Sequence, residues 1–229
     1  MKMYVFVLLI IVATAFTADD MELSSYQHTE GGGPVSIDGI AYSQTWDVNI
    51  ATHGFSIYGA GDRWVCDDFV LAGDWELNQV VVWMIWTGEI GTVMNIVFAE
   101  DDGSLDPNNA TAVWSEAVPA ANVFADEWES SGGTLYDIYE FTCTINADAY
   151  PALSDGVLYW VQVQADVVDN CFVMVSDNYV GSSCWYNDGS GVWVISDETF
   201  GYDSDMFFDL YGDCTAFESS TWGDIKSLF

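Results

Sequence analysis

VVVWMIW, residues 80–86, decides the fold. Read at a period of two, Val81, Trp83 and Ile85 point one way, and Val80, Val82, Met84 and Trp86 point the other. Both sets are apolar, so the segment reads as a central strand covered on both faces. Most of the chain alternates more conventionally. In TLYDIYEFTCTI the set Leu135, Asp137, Tyr139, Phe141, Cys143 and Ile145 opposes Tyr136, Ile138, Glu140, Thr142 and Thr144. In GVLYWVQVQAD, Val157, Tyr159, Val161 and Val163 oppose Leu158, Trp160, Gln162 and Gln164. Similar runs at 64–71, 75–87, 92–100, 111–118, 171–176, 191–196 and 205–211 are separated by Gly, Asp and Asn clusters such as DDGSLDPNN and NDGSG. Many short strands between turn signals predict an all-β fold, an antiparallel β-sandwich or jelly roll.

The chain has 229 residues, of which 51% are hydrophobic and 16% aromatic, enough for a substantial core. It opens MKMYVFVLLIIVATAFTADD, a lysine, an apolar run and small residues, which reads as a signal peptide over 1–18 cleaved after Ala15 or Ala18. The apolar run is shorter than the roughly 20 residues that span a bilayer, so the mature chain is expected not to insert in a membrane. Residues 19–34 read as a flexible leader, 35–214 as the β-sandwich domain and 215–229 as a C-terminal tail. In that tail Thr221 and Asp224 form a helix-capping pair, and Trp222, Ile225 and Phe229 share a helical face, so a short amphipathic helix is expected. The expected location is secreted or cell-surface.

Asp and Glu total 36 against three Lys and Arg, a formal net charge of −33. Once Lys2 is removed, only Arg63 and Lys226 remain, too few to neutralise phosphates, so nucleic acid is excluded as an expected partner. The acids are spread along the chain and read first as a solvated surface. A second reading gathers some of them around Ca²⁺ as a structural ion. Asp101, Asp102, Asp106 and Asn108 offer oxygen ligands within eight positions. Their spacing departs from the EF-hand pattern, and the same cluster makes ordinary turns, the preferred reading. No other cofactor is expected.

Behind a signal peptide, Cys66, Cys143, Cys171, Cys184 and Cys214 enter an oxidising route, and disulfides are expected. Spacing alone leaves fifteen ways to make two bridges. Cys171 with Cys184 is preferred, because thirteen residues suit two neighbouring strands and their loop.

The stretch 64–88 resembles secreted bacterial β-sandwich surface modules whose early strands read D-D-F, then W-x-I/L-x-x-V, then an aromatic strand and Gly. Asp67, Asp68, Phe69, Trp75, Leu77 and Val80 occupy those places. NIVFAEDDGSLDP, the Y-W-V strand of ALSDGVLYWVQVQAD and DMFFDLYG extend the likeness to Gly212, and T-W-G-x-I-K-x-L/F at 221–229 is similar to a tail of some bacterial secreted proteins. The resemblance implies a jelly-roll-like, noncatalytic domain of a surface or secreted protein.

Catalytic chemistry finds little to work with. His28 falls in the leader, His53 reads as a turn or edge residue, and no G-x-S-x-G elbow is present. Glu89 and Glu140 are candidate glycosidase acids, but LYDIYE has Leu135 where the first Glu of the E-x-D-x-x-E pattern of jelly-roll glycanases belongs. The expected function is therefore a noncatalytic binding or surface module, with a neutral glycan as leading ligand. A structural subunit of a surface layer or appendage is the alternative, and a glycoside-acting enzyme comes third. Sugars stack C–H faces on indoles and need fixed amides or carboxylates. The candidates are Trp160 with Gln162 and Gln164, Trp185 and Tyr186 in the following segment, and Trp193. A polysaccharide or a surface protein is the expected partner.

Overall fold

A computed structural model describes residues 39–44, 46–57, 61–86, 90–166, 171–176, 183–196 and 204–215. The chain divides after Pro34, and every described residue lies in the second unit. The expected signal peptide, leader and terminal helix lie outside the described residues.

The described elements are strands: β1 (Gly39–Gln44), β2 (Ala51–Ser56), β3 (Trp64–Val70), β4 (Trp75–Trp86), β5 (Val93–Glu100), β6 (Thr111–Glu129), β7 (Leu135–Thr144), β8 (Ala152–Leu153), β9 (Leu158–Ala165), β10 (Cys171–Ser176), β11 (Trp185–Asn187), β12 (Val194–Ile195), β13 (Asp205–Met206) and β14 (Phe208–Cys214). All pair antiparallel in one continuous sheet whose main order is β1-β14-β4-β7-β6-β5-β9-β3-β11-β12. The sheet becomes two layers because β6 belongs to both. Its first half pairs with β5 (Glu100↔Thr111 to Val93↔Pro119) and its second half with β7 (Ala120↔Cys143 to Glu129↔Leu135). Pro119, which has no N–H to give a ladder, stands at the changeover.

The fold is thus all-β and antiparallel, as the alternation predicts. From one layer, Leu77, Val80, Val82, Met84 and Trp86 of β4, Phe141 of β7 and Phe208 and Leu210 of β14 face inward. They meet Val65 and Phe69 of β3, Met94, Ile96 and Phe98 of β5, and Tyr159, Val161 and Val163 of β9. Full burial of each such side chain contributes about 1.5–3 kcal/mol before the cost of ordering it.

VVVWMIW is covered on both faces as expected. Val81, Trp83 and Ile85 enter a second cluster on the far side of the same layer, with Ile138, Met174 and Phe207, against which Trp46, Trp128 and Tyr136 pack. Trp128 is fixed there by an Nε1–H bond to the Ala51 carbonyl at 3.1 Å. Trp83 and Trp86 are thus core residues.

Two expectations about local structure need correction. The strand expected at 111–118 runs on to Glu129. Its covered positions are few, and its exposed positions include Val113, Ala117, Ala121, Val123 and Phe124, so the contrast between its two faces is weak in the sequence. Cys171 and Cys184 are not a disulfide in a hairpin. Cys171 opens β10, which pairs with β2 and β4, whereas Cys184 precedes β11, which pairs with β3 and β12 in the opposite layer. All five cysteines, each among the described residues, carry thiols. Burial pushes the Cys66 and Cys184 thiols well up and the Cys143 thiol up to about 12, so these three are apolar core groups rather than nucleophiles.

Candidate functional site

The outer face of β3, β9 and β11 carries most of the residues singled out for ligand binding. On β3 the inward positions are Val65, Asp67 and Phe69, so Trp64, Cys66 and Asp68 face outward. On β9 the outward set is Trp160, Gln162 and Gln164. Register aligns Trp185, Cys66, Gln162 and Val97 across four strands, and pairs Asn187 with Trp64 and Gln164 with Asn95.

The residues do not all occupy the surface. Trp160 is fully buried and cannot stack a ligand. It clusters with Cys66 and with Ala99, its partner on β5, and Ala110, Trp185 and Trp193 pack against that cluster. Trp185 meets Trp160 edge to face, with ring centroids 6.3 Å apart and planes at 81°. The buried indole N–H donates to Asp101 Oδ1 at 3.1 Å. Two polar neighbours on the strand therefore did not mean an exposed tryptophan. Tyr186 is the second correction: it points to the core and stacks on Phe55 at 5.8 Å. Gln164 is on the outer face but is covered, its amide accepting from Asn95 Nδ2 (2.9 Å) and donating to Asp62 Oδ1 (3.2 Å).

What remains at the surface is a platform of half-buried indoles and an amide. Trp185, Trp193 and Gln162 are partly exposed on this face, and so is Trp64, which the sequence reading did not single out. Its alternation with Cys66 and Asp68 was the available signal. Trp64 is held in place by its Nε1–H bond to Asp62 Oδ1 at 3.0 Å. The same carboxylate oxygen accepts from Gln164, so Asp62 ties β3 to β9 and orients both side chains. Trp193 is positioned by Asn108, whose Oδ1 accepts from the Trp193 N–H (2.8 Å) and whose Nδ2 donates to its carbonyl (3.0 Å). A side-chain amide here substitutes for a strand neighbour.

That arrangement gives the acidic loop its work. Asp101 Oδ2 accepts from the N–H groups of Gly103 (2.7 Å) and Leu105 (3.3 Å), Asp102 Oδ1 from Ser104 (3.0 Å), and Asp106 Oδ1 from Asn108 (2.9 Å). Asp101, Asp102, Asp106 and Asn108 thus build turns and a lid edge over Trp160. Among the described residues, no three His, Cys, Asp or Glu side chains are grouped to hold a metal ion.

His53, the other group weighed for chemistry, lies on β2. Its Nε2 is 3.0 Å from Ser204 Oγ and its Nδ1 is 2.9 Å from Thr52 Oγ1. The serine is fully buried, which puts its hydroxyl out of a substrate's reach, and the contact joins β2 to the segment entering β13. Glu140 pairs across β4 with Trp83, while Glu89 lies outside the described residues. Comparison of the chain with protein-family models and with curated proteins finds no match.

Proposed function

We propose that the chain is a secreted or cell-surface, noncatalytic binding module whose outer β3/β9/β11 face takes neutral glycans. The observation that carries this reading is the grouping of half-buried Trp64, Trp185 and Trp193 around Gln162, each indole fixed from behind by packing or a hydrogen bond. Rigid indoles present π faces to sugar C–H groups at small entropic cost, and an amide between them supplies hydroxyl partners. A net charge of −33 repels polyanions, which leaves neutral polymers as the fitting class. The test is a pull-down on insoluble cellulose, xylan, chitin and mannan. Binding to at least one of them is expected, and Trp64→Ala or Trp185→Ala should weaken it about tenfold or more, as loss of an anchoring aromatic does. Binding to none, or binding indifferent to both substitutions in folded protein, would reject the platform.

A structural subunit of a surface layer or appendage is the second reading. It is favoured by the β6–β7 ladder, on which Val123, Phe124 and Leu135 are each more than half exposed. Concentration-dependent assembly, lost in Phe124→Glu, would favour it over the first.

A further inference from the structure

Beyond the platform lies a cavity of about 230 Å³ at the junction of β2, β10 and β11, lined by His53, Ser56 and Arg63 and by the rings of Phe55, Phe172 and Tyr186. We propose that it binds a small organic acid, a single carboxylate on a compact aryl body. Arg63 is the only Lys or Arg among the described residues, in a chain with 36 acids, and it stands in the wall of this cavity. A guanidinium presents a planar fork of N–H donors that matches a carboxylate, and its five donors accommodate a ligand alongside protein partners. The second polar group is Ser56, a lining residue whose Oγ is turned out of the cavity and has no hydrogen-bond partner among the described residues; rotation about χ1 brings it to a ligand. A hydroxyl in that state gains a bond when a carboxylate oxygen arrives.

The rest of the wall suits a ring. Phe55 and Tyr186 stack at 5.8 Å with planes 29° apart, and His53 meets Phe55 edge to face at 5.2 Å. With hydroxyls on both ring nitrogens, His53 contributes a ring surface. Gly54 keeps the wall in shape, since a Cβ there would lie 2.9 Å from Phe172 Cβ. The 188–191 loop packs against the turn that precedes Arg63. Gly189, at φ 97°, brings its backbone so close to the Gly61 carbonyl that no side chain fits, and this fixes the turn leading into Arg63. Arg63 also helps lower the Asp188 carboxyl, after its hydrogen bonds to Ser190.

The experiment is calorimetric titration of the full chain with benzoate, with benzyl alcohol as the uncharged counterpart and glucuronate as a carboxylate on a polar ring. Benzoate is expected to bind, and benzyl alcohol and glucuronate about tenfold or more weakly than benzoate, because one lacks the Arg63 partner and the other the fit to aromatic walls. Arg63→Gln should weaken benzoate about tenfold, and Ser56→Ala severalfold, the scale of losing a charged and a neutral hydrogen bond. Absence of benzoate binding, equal binding of benzyl alcohol, tighter binding of glucuronate, or a benzoate affinity untouched by either substitution would overturn the proposal. If Arg63→Gln does not fold, Ser56→Ala and the ligand comparison decide alone. A Trp185→Ala protein that still binds benzoate separates this site from the platform.

Discussion

Asp67 occupies an inward position of β3, between Val65 and Phe69, where alternation asks for an apolar side chain. It is fully buried, and its oxygens accept from the N–H groups of Met206 (2.7 Å) and Asp68 (2.9 Å). Turned so that its oxygen accepts from the Tyr42 hydroxyl, the Gln44 amide also donates to this carboxylate at 3.2 Å. The carboxyl therefore pins β13 and β1 to β3. Burial, then the nearby Asp205 and Asp68 charges, push it well above the usual carboxylate range, against the two N–H bonds that favour ionisation. Because the fold holds this proton more tightly than the unfolded chain, it binds more protons above about pH 4, and stability falls as pH rises through the raised value. Asp67→Asn removes that titration, so the decline of melting temperature with pH should be shallower than in the wild type. Parallel declines would contradict the assignment. Asp67→Ala leaves two N–H groups without an acceptor and should cost about 3 kcal/mol in a denaturant melt. No periodicity reveals such a residue. The D-D-F sequence reads as one acid in and one acid out only once the partners on β13 and β1 are seen.

At the scale of elements, hydrophobic alternation made the paired central strands legible, and β4 with its two apolar faces most of all. It failed where strands are edges or fragments. β1 and β2 are short and partly covered, and β11 has three residues whose place is set by pairing with Trp64, Val65 and Cys66 rather than by their own pattern. The platform was legible in part for the same reason. Trp160, Gln162 and Gln164 share a face as alternation requires, but burial of Trp160 depends on a loop and two tryptophans that arrive from 25 or more residues away. Backbone proximity was equally hidden. The ladder of β14 and β4 shifts register between Tyr211 and Gly212, and a Cβ at Gly212 would collide with the Glu76 carbonyl. Gly212→Ala should therefore force these strands apart and cost about 2 kcal/mol or more in chemical denaturation. A neutral result would mean that the ladder yields at this bulge.

Over the whole molecule, a hydrophobic double layer carries a surface so acidic that self-repulsion opposes compaction. Salt screens this: the Debye length shrinks from about 10 Å at 0.1 M to about 3 Å at 1 M. The melting temperature should rise with NaCl over that range, and a flat response would show that the carboxylates are too dispersed to burden the fold. In the proposed function charge and platform act together, since a field that turns away polyanions leaves neutral sugars as the class to stack on the outer face. That claim is tested most directly by following the eleven indole N–H resonances of the full chain by NMR during titration with soluble oligosaccharides of the four candidate polymers. The account predicts that one series shifts the Trp64, Trp185 and Trp193 signals in a saturable way while the core Trp75, Trp83 and Trp86 signals stay in place. Immobility of the three platform signals in every series, or shifts confined to other indoles, would contradict it.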